Sequence, residues 1–250
     1  MKLVIDNHNH TLSSGHAYST IKEIIEEGKQ KGFEAISITD HAPQFPESCG
    51  RMHFLSLPTS PEFILGVRML PGVELNILNE NGDVDLDART LKRLTTVIAS
   101  IHAHCYQSDS IEKNTNAYVR VMNNPYVNII GHPGDPKFPF HIETVVAQAA
   151  KTCTAIEINA TMGDPKCNKY PGFSTLKDII RECIKQNVFL SFGSDSHIFP
   201  EVGDFSFILP LIEELNIPEH LIVNTSVDKY LDFVEKRRAM NPKAFDKPCG

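Results

Sequence analysis

Seven short runs rich in valine and isoleucine recur along the chain, and they limit its fold more than any other feature. They occupy residues 3–6, 35–40, 72–76, 97–102, 127–132, 155–159 and 188–193. None shows the strict apolar–polar alternation of a strand with one wet face, so each reads as a strand buried on both sides. Amphipathic stretches separate them. Thr20-x-x-Glu23 has the form of a capping box, and Ile21, Ile24, Ile25 and Gly28 mark one helical face. Ile142, Val145, Val146, Ala149 and Ala150 repeat that spacing, as do Leu176, Ile179, Ile180, Cys183 and Ile184. Strands interleaved with helices build a parallel sheet, open or closed. The even spacing of the runs, with no Gly-x-Gly-x-x-Gly after the first, favours an α/β barrel.

The remaining composition narrows the functional classes. The length of 250 residues matches a parallel α/β barrel, and no linker or repeat interrupts it. No apolar run approaches the ~18 residues of a membrane span. The first residues do not form a secretory signal, so a cytoplasmic protein is expected. A formal net charge of -7 counts against a sequence-independent grip on nucleic acid. The six cysteines include no Cys-x-x-Cys pair and are expected to be free thiols, with Cys153 and Cys183 in the core. Three segments break the rhythm: a long insert over residues 42–71, a hairpin over 75–86 turning at Asn81-Gly82, and a loop over 161–172.

The chain has 11 histidines and no tryptophan, and the histidines are not scattered. Six of the seven runs end in, or lead straight into, a side chain able to bind a metal. These side chains are His8 and His10 with His16 shortly after, then His41, Glu74, His102, His132, and Asp195 with His197. In an α/β barrel all C-terminal strand ends share one face, which would bring residues from 8 to 197 together. His8 and His10, like Asp195 and His197, are two apart, so in an extended segment they point the same way. Imidazole with carboxylate suits Zn, Mn or Fe, and the absence of thiolates argues against a structural zinc.

The motifs His8-Asn9-His10, Thr39-Asp40-His41, Gly72-Val73-Glu74, Ile101-His102, Gly131-His132-Pro133-Gly134 and Gly193-Ser194-Asp195-Ser196-His197 resemble those of the PHP (polymerase and histidinol phosphatase) superfamily. The resemblance is strongest to its small bacterial phosphatase branch with a trinuclear zinc site. It implies one domain over residues 1–250, a distorted (βα)7 TIM-like barrel, and self-association as a trimer. It also implies three divalent ions per chain, zinc first among them. His8, His10, Glu74 and Asp195 would hold one ion, and Glu74 would bridge to a second with His102 and His132. His16, His41 and His197 would hold the third.

From these residues the expected reaction is hydrolysis of a small phosphomonoester by a metal-bridging hydroxide, with Glu74 and Asp195 as the acidic members of the site. The loops of covalent phosphatases are missing. No Cys is followed six positions on by Arg, and the segment Asp85-Leu86-Asp87-Ala88-Arg89 reads as a solvated hairpin. Asp6 and Asp40 flank ligands and are expected to accept imidazole N–H bonds. Arg51, His53, His104 and Asn159 are candidate substrate contacts, and Lys166 and Lys169 could meet an anionic tail. The alternatives are a phosphodiesterase or exonuclease acting on nucleic-acid ends, and a non-catalytic metal-binding protein. The latter would saturate its ions with protein ligands, whereas this set leaves positions open.

Overall fold

The computed structural model describes residues 1–107 and 110–240. Cys249 therefore lies outside the described residues. Each of the seven apolar runs holds all or most of one strand, except that β4 begins five residues earlier: β1 (Ile5–Asp6), β2 (Ala35–Ile38), β4 (Val67–Asn76), β5 (Thr96–Ser100), β6 (Ile129–Ile130), β7 (Ala155–Asn159) and β8 (Leu190–Gly193). They pair in parallel in the order β1-β2-β4-β5-β6-β7-β8. One further strand, β3 (Phe63–Ile64), adds antiparallel to the start of β4. The helices between them include α1 (Ile21–Gln30), α2 (Arg51–Ser56), α3 (Ala88–Leu91), α4 (Ile111–Val121), α5 (Ile142–Thr152), α6 (Phe173–Gln186), α7 (Pro210–Glu214) and α8 (Val227–Ala239).

The sheet curls until β8 faces β1, making a nearly closed barrel. Main-chain bonds continue across this seam above the strands, from Asn7 N to Phe192 O (3.3 Å), Asp195 N to His8 O (2.9 Å) and His10 N to Ser196 O (2.9 Å). At the lower end a side chain stands in for the missing ladder. Asn224 Nδ2 donates to Ile5 O and Phe192 O, while its Oδ1 accepts from Phe192 N. Such a bridge satisfies buried backbone groups that would otherwise cost about 1–3 kcal/mol each.

Two apolar layers hold the barrel. Outside, Ile24 and Ile25 of α1, Val145 and Val146 of α5, and Ile179 and Ile180 of α6 pack on the sheet. Inside and below, Ile5, Ala35, Leu70, Ile98, Ile129 and Ala155 each come from a different strand. They meet Tyr230, Phe233 and Val234 of α8, which plugs the N-terminal end. The capping box at α1 forms as expected, Thr20 accepting from Glu23 N and Glu23 from Thr20 N.

Two expectations need correction. The insert over 42–71 is not one loop: it contains α2, a 3₁₀ turn, β3 and the first five residues of β4. Arg68 and Pro71 hid that strand, yet Pro71 still accepts Thr95 N–H (2.7 Å). The segment at Asp85–Arg89 is not solvated hairpin throughout. Asp85 accepts from Asn76 and Gln44, and Asp87 caps α3 by accepting from Thr90 N. The turn at residues 79–82 does form, with one antiparallel bridge, Ile77 to Val84.

Candidate metal centre

All nine candidate ligands meet at the C-terminal rim. Glu74, fully buried within β4, is the hub. Its Oε2 lies 2.7 Å from His41 Nδ1, 3.4 Å from His8 Nε2 and 3.5 Å from His10 Nε2. Its Oε1 lies 2.8 Å from His132 Nε2 and 3.1 Å from His102 Nε2. Asp195 Oδ1 is 3.2 Å from His10 Nε2, and His197 Nε2 is 2.9 Å from His16 Nε2. The cluster runs from His8 and His10 at the barrel axis to His16 at the mouth. His132 (φ 27°) and Asp195 (φ 57°) sit in the left-handed region, which costs about 1 kcal/mol or more for each non-glycine residue. Strand ends that must turn sharply to aim a side chain inward account for that strain.

The hydrogen bonds fix which ring nitrogen carries the proton. His8 Nδ1–H donates to Glu157 Oε1 (2.7 Å), and His16 Nδ1–H to Ser14 O (3.0 Å). His197 Nδ1–H donates to Asp195 O (2.8 Å). His102 Nδ1–H donates to Asn76 Oδ1 (2.7 Å), because the Asn76 amide nitrogen is spent on Ala42 O and Asp85. Ser14 gives its only proton to Asp40 Oδ1 (2.7 Å), so its oxygen accepts from His10 Nδ1–H (3.0 Å). In the neutral form that a metal ion requires, all five rings then leave Nε2 with a bare lone pair aimed inward.

Lone pairs facing one another at 2.9–3.1 Å, as in His16–His197 and His8–His10, repel unless a cation lies between them. Glu74 Oε2 and His41 Nδ1 likewise are buried and make no hydrogen bond of acceptable geometry despite their proximity. Among the described residues, three groups have ligand atoms within 4.8 Å of one another: His10–His41–His197, His8–His10–Glu74 and His41–Glu74–His102. These residues fit divalent ions of the N/O-preferring kind. His10 and His41 each belong to two of the groups, so the arrangement is more interleaved than the partition expected from the resemblance.

Burial works against every charge here, and the neighbours decide the result. Burial pushes His41 down to about 3 and also lowers His10, His16 and His132. Burial would raise Asp195 and Glu74. The Lys169 ammonium beside Asp195, and the imidazoles His102 and His41 beside Glu74, hold both well below the usual carboxylate range.

Several expected contacts are made differently. Asp6 and Asp40 accept no ring N–H from a ligand histidine. Asp6 takes Ser194 N, Ser194 Oγ and Gly203 N, tying the seam of the barrel, and burial raises it. Asp40 takes Thr11 and Ser14, bracing the loop that carries His10 and His16. His53 of α2 points at Asp40 (3.1 Å) instead of the cavity. Arg51 is turned away to Thr90 and Asp87 on the surface. Asn159 is fully buried and donates to Glu157 Oε2 (3.1 Å) and Asp195 Oδ2 (3.3 Å), a brace and not a lining residue. His104 does stand at the rim of the cavity, edge-on to Phe45.

Besides Ser14 and Asn76, two further residues outside the expected site belong to it. Phe45 stacks on His41 with centroids 3.9 Å apart and planes 5° apart, shielding that ligand. Glu157 of β7 is 1% exposed and accepts from both His8 Nδ1 and His132 N (2.6 Å). A glutamate in the middle of the apolar run Ala155-Ile156-Glu157-Ile158 was the available signal.

Fold and site together define an α/β barrel with a histidine–carboxylate cluster suited to divalent cations at its C-terminal rim. The chain belongs to the PHP domain family, matching that domain over residues 6–190. It is 41% identical over 238 residues to a protein named "Probable phosphatase" from Acetivibrio thermocellus, covering 95% of this chain and 98% of the relative. A second relative of that description, from Caldanaerobacter subterraneus, is 42% identical over 240 residues, covering 95% of this chain and 93% of its own length. The crystal structure of histidinol phosphate phosphatase from Lactococcus lactis, complexed with zinc, L-histidinol and phosphate, shares the fold. Its TM-score is 0.58 at 19% identity, over 86% of this chain and 94% of that one.

Proposed function

We infer that the chain is a metal-dependent phosphatase that hydrolyses a small phosphomonoester. The observation that carries this reading is the set of inward, unprotonated imidazole nitrogens arranged around Glu74 and Asp195. Phosphatase names among relatives that match nearly end to end support it. His8, His10, His16, His41, Glu74, His102, His132, Asp195 and His197 would hold three divalent ions, zinc foremost. Such ions supply Lewis acidity toward phosphoryl oxygens and acidify water.

The chain's own contribution is orientation and charge. Glu157, Ser14 and Asn76 lock ring tautomers, so the imidazoles need not reorganise when cations bind. Only Glu74 and Asp195 bring negative charge to the ligand set. Three divalent ions would therefore leave the cavity strongly positive, and it would attract a dianionic ester although the chain as a whole is acidic. Phe45 and the loop after β7 form part of the cavity wall.

The test is removal and restoration of metal. Chelator-treated protein is expected to lose hydrolysis of p-nitrophenyl phosphate and regain it with zinc, manganese or iron. Full activity with no bound transition metal would overturn the reading.

A further inference from the structure

The cavity above the cluster has a volume of about 390 Å³. Sites of about 300–1,000 Å³ hold ligands of drug size, so this one has room for a leaving group beside the phosphoryl group. Apart from the histidines and Asp195, the charged residues on its wall are Asp135, Lys137 and Lys169. Asp135 is turned back on its own loop, accepting from Lys137 N (2.9 Å). Lys137 stands exposed at the lip, with no carboxylate in ion-pair range among the described residues. Lys169 reaches further in. Its ammonium lies 2.7 Å from Asp195 Oδ2, and its side chain is 28% exposed. Asp195 meets the imidazoles through its other oxygen, Oδ1, so Lys169 and the cluster do not compete for it.

We propose that the leaving group of the substrate carries a second anion, a carboxylate or a second phosphate, held by Lys137 and Lys169. This rests on the phosphatase reading and narrows its substrate class. The two lysines come from the loops after β6 and β7, and Phe45, Ile101 and Ala103 add uncharged surface to the same cavity. A neighbouring cavity of about 300 Å³ has the reverse character, with Asp164, Glu201 and Asp204. It would suit a cationic leaving group. Of the candidate ligands it touches only Asp195 and His197, whereas the lysine-walled cavity also opens onto His16, His41, His102 and His132. A phosphoryl group over the cluster therefore projects its leaving group toward the lysines.

The test compares four esters on the full-length, metal-reconstituted protein: ethyl phosphate, O-phosphoethanolamine, phosphoglycolate and ethylene glycol bisphosphate. At least a tenfold higher kcat/KM for phosphoglycolate or for the bisphosphate than for ethyl phosphate is expected. Which of the two leads identifies the second anion. Lys137→Gln and Lys169→Gln should each bring that ratio several-fold closer to one, and Lys137→Gln alters only an exposed side chain. Turnover of ethyl phosphate with no preference for phosphoglycolate or the bisphosphate, or a preference for O-phosphoethanolamine, would overturn the inference while leaving the phosphatase reading intact. Turnover of none of the four would overturn both.

Discussion

Replacing Glu157 by glutamine changes no volume and removes one acceptor, yet it should disable the deepest ligand. Glu157 receives three donors: His8 Nδ1–H, His132 N–H and Asn159 Nδ2. Glutamine offers one oxygen and one NH2 group. With the oxygen toward His132 and Asn159, the NH2 faces His8 Nδ1. His8 must then move its proton to Nε2, the atom 3.1 Å from His10 Nε2 and 3.4 Å from Glu74. With the amide reversed, NH2 faces the backbone N–H of His132, and a buried donor is left unsatisfied. Either arrangement costs about 1–3 kcal/mol. A lost carboxylate partner of a ligand histidine typically costs about 10–100-fold in metal affinity. Competition with a fluorescent chelator would measure that loss, with circular dichroism confirming an unchanged fold. Wild-type affinity within about twofold, in a folded Glu157→Gln protein, would refute the tautomer argument.

Glu74→Ala takes a carboxylate from five imidazoles at once and should reduce p-nitrophenyl phosphate turnover by at least about 100-fold, with ions lost as judged by elemental analysis. Gly193→Ala places a Cβ 2.2 Å from Glu157 Oε1 and 2.6 Å from His8 Cβ. With both groups hydrogen-bonded in place, urea denaturation should show a loss of about 1–3 kcal/mol, accompanied by weaker metal binding. Metal-free protein should lose stability on acidification from pH 6.5 toward 5. Unfolded His10 and His41 take up protons in that window while burial keeps the folded rings neutral, worth up to about 1.4 kcal/mol per pH unit for each. His8, raised by Glu157 and its other carboxylate neighbours despite burial, already holds its proton when folded, so it partly offsets that loss as its unfolded form takes one up. A flat melting temperature between pH 7 and 5 in chelator would contradict this.

The parallel strands were legible because strands covered on both faces must be apolar throughout, and Ile36, Ile98, Ile130 and Ile156 are all buried. Their ends were not. The run at 127–132 shortens to Ile129–Ile130 because the chain bends at His132 to aim its ring. The start of β4 escaped because Arg68 looks like a loop residue, although its guanidinium lies over Phe63 of the adjoining strand. Imidazoles two residues apart announced the cluster, since each residue type suits the chemistry by itself. Glu157 could not be paired with His8 from 149 positions away, nor Asn224 recognised as closing the barrel, because both act only through three-dimensional neighbours. Arg51 misled for the same reason: a cation in an insert suggests an anion site, but Asp87 and Thr90 lie beside it.

Anomalous X-ray scattering at the zinc edge, on crystals of zinc-reconstituted protein, tests the central claim most directly. Three ions are expected within about 2.0–2.2 Å of their ligands, bonded to Nε2 of His8, His10, His16, His102 and His197 and to Nδ1 of His41. Ions bonded through the Nδ1 atoms that face Glu157, Ser14 or Asn76, or no ion at this rim, would contradict it.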